Sequence, residues 1–275
     1  MLRCGKFSFD LARPLVMGIV NVTPDSFSDG GLHASTAAAI AHARQLMADG
    51  ADILDIGGES TRPGAAAVST QQELERVLPV IEGLRGIPVP ISIDTWKPQV
   101  MRDALAAGAC MVNDINALQE AGALEAVAAS DAGVCLMHKQ GVPQTMQQQP
   151  QYQDVVAEVS AFLRLRMAAA EAAGIARERI VIDPGFGFGK TLAHNLDLLR
   201  ELEIFGALGV PVLAGLSRKS MLGAVTGRGV NERLAASVAA ALLAVQRGAA
   251  IVRVHDVRET VDALKIWSAV NGSGQ

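Results

Sequence analysis

The sequence predicts an α/β protein that folds as a single (β/α)8 TIM barrel. Apolar runs of strand length recur about eight times along the 275 residues, and nearly every run ends in a polar residue. The segments between these runs have helical periodicity, so strand, loop and helix alternate throughout. A barrel of this kind takes ~250 residues, a length that the chain can supply as one domain.

The predicted strands are short, and the loops that follow them carry the polar residues. Their bounds are residues 16–20, 52–56, 90–93, 109–112, 133–137, 180–182, 210–216 and 249–254. In a (β/α)8 barrel the loops after the strands gather at one face. Polar residues far apart in the sequence are therefore expected to line one pocket.

The predicted helices lie between the strands. Helical spacing favours a helix over residues 37–47, with Ser35 and Thr36 as its cap. The next helix is expected to start at Ser69 or Thr70 and to run to about residue 84, with Glu73 completing a capping box. Further helices are expected over residues 98–107, 120–130, 152–173, 195–202, 233–246 and 257–270, and another after residue 220.

Two other architectures fit the same alternation of elements. The chain has the length for two smaller domains, but no linker divides it. An open, doubly wound sheet would place its site at one switch point and would leave several polar strand ends unused. We therefore expect one domain over residues 1–275, with residues 1–14 as a lead-in that covers the barrel bottom.

Composition and charge argue against several function classes. The net charge of −4 disfavours a broad nucleic-acid surface, which needs clustered basic residues. Three cysteines without paired metal spacing indicate reduced thiols in the cytoplasm. Charges interrupt residues 1–15, against a secretory signal, and the apolar stretch 234–245 is shorter than the ~20 residues that span a bilayer. We expect neither a nucleic-acid nor a membrane partner.

Polar strand ends supply the candidate binding residues. Asp94 and Asn113 each follow an apolar strand, Asp183 follows another and precedes Pro184, and Lys219 precedes a predicted helix. Each alone has an ordinary explanation, since Asp94, for example, could cap the helix that begins near residue 98. Together, two carboxylates, an amide and an ammonium group can pair with the alternating donors and acceptors of a pteridine or purine edge.

Three segments bear on anion binding. Residues 183–191 resemble a phosphate loop, but Pro184 stands where Walker A needs its first glycine, so this segment is weak support for a phosphate cradle. The helix start after residues 215–220 can bind an anion. Arg253 and His255 share one side of the last strand, and burying this pair without an anion would be costly.

These motifs resemble the dihydropteroate synthase family from end to end. The matching stretches are residues 21–31, 55–64, 92–95, 113–115, 183–190, 215–223 and 253–257. Lys139 is a departure, because the family commonly has a methionine there, and His138 before it fits a structural role as well as a catalytic one. The resemblance implies a cytoplasmic, homodimeric, Mg2+-dependent enzyme of folate synthesis and a target of sulfonamides. Such enzymes join 6-hydroxymethyl-7,8-dihydropterin pyrophosphate to 4-aminobenzoate, giving 7,8-dihydropteroate and pyrophosphate.

The resemblance also implies roles for individual residues. The pterin would bind Asp94, Asn113, Asp183 and Lys219, with Ile115, Met137, Phe188 and Gly215 around it. The pyrophosphate would bind Asn21, Thr61, Arg253 and His255, with Asn21 also a ligand of Mg2+. The aminobenzoate would bind Phe27, Arg62, Pro63, Phe188 and Ser220. Asp183, Lys219, Arg253 and His255 would carry the catalysis by stabilising the leaving group and the pterin charge.

Two alternatives to this function stay open on sequence grounds. A methyltetrahydrofolate methyltransferase barrel resembles the family in its pterin-binding residues but needs no pyrophosphate site. Thr61, Arg62, Arg253 and His255 discriminate against it. The other alternative is a catalytically silent pterin-binding paralogue, which the intact set of site residues disfavours.

Overall fold

The computed structural model of this protein describes residues 1–22, 31–60, 67–141, 146 and 150–272, with residues 31–34 described by their backbone alone. The strands of this part of the chain are β1 (Leu2–Cys4), β2 (Phe7–Phe9), β3 (Leu15–Asn21), β4 (Ile53–Gly57), β5 (Ile91–Asp94), β6 (Met111–Asp114), β7 (Gly133–Met137), β8 (Ile180–Asp183), β9 (Leu213–Ala214) and β10 (Ile251–Val254).

Strands β3 to β10 form one parallel sheet that closes into a barrel. The order of neighbours is β8-β7-β6-β5-β4-β3-β10-β9, and a bridge between Ile182 and Val212 joins β8 to the chain just before β9. Successive strands are thus neighbours and β10 returns to β3, whereas a doubly wound sheet reverses its order at a switch point. The predicted (β/α)8 barrel is confirmed, and the open sheet is excluded.

Helices connect the strands around the outside of the barrel. They are α1 (Gly31–Ala48), α2 (Thr70–Gly83), α3 (Pro98–Ala107), α4 (Ala123–Ala128), α5 (Val155–Ala172), α6 (Leu192–Arg200), α7 (Glu203–Gly206), α8 (Ser220–Thr226), α9 (Leu234–Gln246) and α10 (Val257–Asn271). As far as the chain is described, none of its helices has the length and apolarity to span a bilayer.

The starts of the first two helices differ from the prediction. Helix α1 begins earlier than expected, so Ser35 and Thr36 lie inside it and are not its cap. The capping box of α2 joins Ser69 to Gln72, and the predicted box with Glu73 was wrong. Several neighbouring polar residues could cap either helix, and only the backbone conformation decides which of them does.

Other elements also differ from the prediction. Helix α4 is shorter than residues 120–130, because Gly122 just before it has a left-handed φ of 87°. Helix α6 starts earlier than predicted because Thr191 caps it, and α7 was not predicted at all. Of the predicted strand 210–216 only Leu213–Ala214 forms a strand, with a single bridge from Val212 to β8, although Leu216 is also buried. An apolar run reports burial and does not by itself establish strand pairing.

Alternate strand residues sort into two apolar clusters, as the two-residue period of a strand requires. One set packs outward against the helices, and it includes Val16, Val20, Leu54, Ile56, Ile93, Val112, Leu136, Ile182, Val252 and Val254. The other set points into the barrel and consists of Leu15, Met17, Ile53, Met111, Cys135, Val181, Leu213 and Ile251. We call this inward set the barrel floor.

The N-terminal hairpin packs against the barrel floor. Strands β1 and β2 pair in antiparallel fashion, and Leu2 and Cys4 belong to the same buried cluster as the floor. Both side chains are fully buried. The hairpin therefore covers the apolar end of the barrel interior. The assignment of the whole chain to one domain stays a prediction.

Candidate active site

The inward positions that follow the floor carry the residues of the site. Two residues after a floor position lie Asp55, Asn113, Asp183, Gly215 and Arg253. Since side chains alternate along a strand, a step of two keeps the inward face and moves towards the carboxyl end. A polar layer therefore follows the apolar floor at the barrel mouth.

Strand register brings four of the rim positions side by side. Asn21, Gly57, Asp94 and Asn113 are successive partners across β3 to β6, and Met137 pairs with Asp183 across β7 and β8. A Cβ at Gly57 would lie 3.6 Å from Oδ2 of Asp94 and 3.9 Å from Oδ1 of Asn21. The glycine thus leaves space open between these two polar side chains.

Arg253 lies at the centre of the polar layer. Its Nε donates to Oδ2 of Asp55 at 2.5 Å, and its Nη2 donates to Oδ2 of Asp94 at 2.7 Å. Asn113 Nδ2 donates to the same Oδ2 of Asp55 at 3.0 Å. The sequence suggested that burying Arg253 and His255 without an anion would be costly; for Arg253, two protein carboxylates offset that cost.

Asp94 belongs to this network and is not a helix cap. The N-cap of α3 is Lys97, and no side chain caps that helix. Burial raises the pKa of Asp94 to about 7, although the charge of Arg253 acts in the opposite direction. The proton content of Asp94 therefore depends on what Arg253 contacts.

Sequence reasoning missed Asp55 as a site residue. Its side chain is fully buried, yet Oδ1 has no hydrogen-bond partner among the described residues, and the same holds for Oγ of Ser92 on the neighbouring strand. A lone aspartate between Leu54 and Ile56 is a signal that could have identified it. A buried carboxylate needs a cation, and here the cation comes from β10.

Asp183 and Lys219 meet at the glycine-rich segment after β8. Asp183 Oδ1 accepts a hydrogen bond from Gly185 N at 2.7 Å. Lys219 Nζ donates to the carbonyl oxygen of Phe186 and lies 4.7 Å from the centre of the Phe188 ring. Burial lowers the pKa of Lys219 to about 8, and Asp183 opposes that shift. Burial raises the pKa of Asp183, and Lys219 in turn opposes that shift.

Lys190 occupies the position that the lysine of a phosphate loop would have, but it faces the protein. Its Nζ lies 2.9 Å from Nδ1 of His138 and donates to the carbonyl oxygens of Gly185 and Phe188 at 2.9 and 3.1 Å. Burial lowers the pKa of His138 to about 3, so this imidazole is neutral at physiological pH. These contacts of Lys190 are with protein groups, in agreement with the weak support for a phosphate cradle.

The loop before α8 and the end of β10 are also joined. Ser217 Oγ lies 3.0 Å from Nδ1 of His255, which orients this imidazole. Arg218 forms an ion pair with Asp256. Ser220 is the first residue of α8 and is exposed. His255 and Ser220 thus lie on the two segments that follow β10 and β9.

Apolar side chains flank the polar layer. Ile115 and Met137 are buried, whereas Phe188 is partly exposed. A Cβ at Gly215 would lie 3.9 Å from Cβ of Arg253 and 4.0 Å from Nζ of Lys219. A side chain at this position would therefore enter the space between the two cations. The predicted residues Phe27, Thr61, Arg62 and Pro63 lie outside the described residues.

A second buried ion cluster adjoins the mouth and was not predicted. Lys97 Nζ donates to Glu73 Oε2 at 2.6 Å, to Glu59 Oε2 at 3.0 Å and to the carbonyl oxygen of Val68 at 2.6 Å. Trp96 Nε1 also donates to Glu59 Oε2. The cluster ties the chain after β4 to the chain after β5. A glutamate in the fourth position of an amphipathic helix gave no sequence signal of burial.

Comparison with known proteins gives one consistent family. Residues 17–255 match the family of pterin binding enzymes. The chain is 53% identical over 263 residues to the dihydropteroate synthase of Escherichia coli K12, covering 95% of this chain and 93% of that protein. It is 55% identical to the enzyme of Neisseria meningitidis serogroup C, with 98% and 96% covered.

Solved structures give the same result. The Xanthomonas albilineans dihydropteroate synthase in complex with 7,8-dihydropteroate has 55% identity and a TM-score of 0.87, with 96% of this chain and 95% of that chain covered. The Yersinia pestis enzyme in a sulfonamide drug complex has 49% identity and a TM-score of 0.93, with 98% and 99% covered.

Proposed function

We infer that this chain, which belongs to the pterin binding enzymes and among them to the dihydropteroate synthases, joins 6-hydroxymethyl-7,8-dihydropterin pyrophosphate to 4-aminobenzoate. The products are 7,8-dihydropteroate and pyrophosphate. One observation supports this most directly. The four residues proposed to hold the pterin edge come from β5, β6, β8 and the segment before α8, and they line one barrel mouth.

The pterin subsite is proposed to use Asp94, Asn113, Asp183 and Lys219 for the polar edge, with Ile115, Met137 and Phe188 as walls and with Gly215 leaving room. Carboxylates accept from the amino and ring N–H groups of a pterin, the ammonium group donates to its ring acceptors, and the amide does both. Burial raises the pKa of Asp183 and lowers the pKa of Lys219, and the charge of each residue opposes the shift of the other. This supports a favourable electrostatic interaction between the two groups in the subsite.

The pyrophosphate subsite is proposed to comprise Asn21, Thr61, Arg253 and His255. Because Arg253 contacts Asp94 in the free protein, pyrophosphate would compete with Asp94 for part of the guanidinium group. Asp55 would keep its contact with Nε. A planar guanidinium group can donate hydrogen bonds to a carboxylate from one edge and to a phosphate from another.

Asn21 fits Mg2+ as a single protein ligand. Its amide oxygen lies 3.9 Å from where a Cβ of Gly57 would be, and in the described ranges no group of three or more histidine, cysteine or acidic residues could hold a metal ion. A site with one protein oxygen suits an ion that keeps several water and phosphate ligands. When bound there, Mg2+ would neutralise negative charge on the pyrophosphate.

The proposed reaction exchanges one bond for another at the pterin methylene carbon. Its bond to the pyrophosphate oxygen breaks, and the electron pair leaves with the pyrophosphate, which Arg253 and His255 stabilise. The amine nitrogen of 4-aminobenzoate forms the new bond and releases a proton. Asp183 balances the positive charge that develops on the pterin. Phe27, Arg62, Pro63, Phe188 and Ser220 are proposed to hold the amine substrate.

We also propose that the enzyme is a homodimer that acts in the cytoplasm. The three cysteines, Cys4, Cys110 and Cys135, are free thiols, which favours a reducing compartment. The exposed side chains of Leu243, Ile266 and Val270 on α9 and α10 are apolar surface that a second copy could cover. Light scattering of the purified protein tests this, and a monomer at micromolar concentration would contradict it.

The function is tested with the purified protein, the two substrates and Mg2+. Chromatography should detect 7,8-dihydropteroate and an equal amount of pyrophosphate. A protein that binds the pterin substrate in calorimetry but forms no product would be a silent pterin-binding paralogue. Omission of Mg2+ should abolish most turnover, and full activity in a chelator would remove the metal from the proposal.

A further inference from the structure

The segment after β8 is a tight loop whose shape depends on its contacts with β7. Residues 185–189, the glycine loop, contain Gly185, Gly187 and Gly189 with φ values of 73°, 77° and 61°. A Cβ at Gly185 would collide with the carbonyl oxygen of His138, and one at Gly189 with that of Gln140. The backbone of the loop therefore lies directly against the chain that leaves β7.

Lys190 forms hydrogen bonds on one side of the glycine loop. Its Nζ has four acceptors within hydrogen-bond distance: Nδ1 of His138 at 2.9 Å and the carbonyl oxygens of Gly185, Phe188 and His138 at 2.9, 3.1 and 3.4 Å. Burial lowers the pKa of Lys190 to about 7, so the ammonium form predominates below that pH. In this form the group has three N–H donors and no lone pair, and His138 then accepts through Nδ1 and carries its own proton on Nε2. Lys190 is 3% exposed, so its donors have little access to water.

Lys219 contacts the other side of the glycine loop. It donates to the carbonyl oxygen of Phe186, its Nζ lies 4.7 Å from the Phe188 ring centre, and its Cδ lies 3.2 Å from where a Cβ of Gly187 would be. The position of its ammonium group therefore depends on three successive loop residues. None of these contacts involves Lys190 directly.

We propose that Lys190 is a positioning residue for Lys219 in the pterin subsite. By holding the carbonyl groups of Gly185 and Phe188, it keeps the glycine loop in the conformation that presents Phe186 O and the Phe188 ring to Lys219. Lys190 itself does not touch the pterin. This inference rests on the proposed function only in taking a pterin as the ligand of Lys219.

Calorimetry with 6-hydroxymethyl-7,8-dihydropterin pyrophosphate at pH 6.5 tests whether Lys190 acts on pterin binding through Lys219. Lys190→Met should weaken binding by about 10- to 100-fold, in the range that a misplaced group causes. The same substitution at Lys265, an exposed lysine on α10, should leave the affinity unchanged. In a Lys219→Met background, Lys190→Met should have little further effect. An equal loss in both backgrounds would overturn the proposal.

A second pair of variants covers the case in which Lys190→Met does not fold. His138→Asn keeps an oxygen acceptor near the position of Nδ1, whereas His138→Leu does not, and both remove the ring. The leucine variant should bind the pterin substrate several-fold more weakly than the asparagine variant. Equal affinities would contradict a role for the Lys190 contacts.

Hydrogen exchange separates this inference from the proposed function, because it needs no ligand. Gly187 N donates to Asn195 Oδ1 at 2.7 Å and Phe188 N to the carbonyl oxygen of Gly185 at 3.1 Å. Both amides should exchange about tenfold faster in the free His138→Leu and Lys190→Met proteins, as expected for local opening. Unchanged exchange would overturn the inference even if the wild-type enzyme forms dihydropteroate. If the variants exchange faster but the wild-type protein forms no dihydropteroate, the proposed function would be refuted and this inference would stand.

Discussion

The barrel floor and the barrel mouth lie on the same strands, two residues apart, and differ completely in chemistry. On β6 Met111 is in the floor and Asn113 in the mouth, and on β10 Ile251 precedes Arg253 in the same way. One step of two residues moves a side chain by only ~6.6 Å along a strand. The floor is packed from apolar side chains, whereas the charges of Asp55, Asp94 and Arg253 in the mouth pair across different strands.

We therefore expect the floor to contribute mainly to stability and the mouth to carry the residues of the proposed function, although both lie on the same sheet. The floor has no polar group to satisfy and can pack against the N-terminal hairpin. The mouth holds Asp55, Asp94 and Arg253 in one network, where removal of Arg253 leaves both carboxylates without their cation. Substitutions at matched positions of one strand should therefore have different consequences.

Arg253→Ala should have the largest effect on stability. Because Arg253 lies in the mouth, this loss would show that the mouth also contributes to stability. The substitution leaves the fully buried Asp55 without its cation, which for a buried ion pair costs about 3–5 kcal/mol. Chemical denaturation measures the loss. The double variant with Asp55→Asn should recover part of it, and an unchanged unfolding midpoint in Arg253→Ala would refute the network.

Met111→Ala should lower stability with little effect on activity. The side chain is fully buried in the floor, and such a truncation costs about 2–5 kcal/mol. Turnover measured well below the melting temperature should remain near that of the wild type. Asn113→Ala, two residues later on the same strand, is the matched comparison and should lose pterin affinity. If Met111→Ala lost activity while staying folded, floor and mouth would not be separable.

Asp183→Asn should lower turnover and preserve the fold. The amide can still accept the hydrogen bond from Gly185 N but carries no charge to balance the pterin. Loss of a preorganised charged group costs roughly 2–4 kcal/mol of transition-state stabilisation. Steady-state kinetics with both substrates, alongside circular dichroism, measures this. Near-normal kcat in a folded variant would remove Asp183 from the catalytic set.

The pH dependence of pterin affinity gives the smallest expected effect. Because burial lowers the pKa of Lys219 to about 8, its ammonium form predominates below that pH and is lost above it. Affinity should therefore fall about tenfold for each pH unit above 8, or ~1.4 kcal/mol per unit. Lys219→Met should show no such decline between pH 8 and 9.5. A parallel decline in this variant would assign the titration to another group.

The sequence by itself determined the barrel and most of the residues proposed for its mouth. Apolar runs that end in Asp94, Asn113 and Asp183 are local signals, because a strand's burial and its carboxyl end can both be recognised from its own residues. The alternation of strands and helices along the chain then predicts a parallel sheet. Helix caps were less predictable, since adjacent polar residues such as Ser69 and Thr70 are equivalent until the backbone selects one.

Only the tertiary structure decided which polar side chains pair. Asp55 and Arg253 are 198 positions apart in the sequence, and Lys190 and His138 are 52 apart. Barrel closure beside β3 brings β10 within reach of β4 and β5, and the register of β7 and β8 places the glycine loop on His138. Electrostatic and hydrogen-bond energies depend on distances of a few ångström between strands. No local pattern of residues contains those distances.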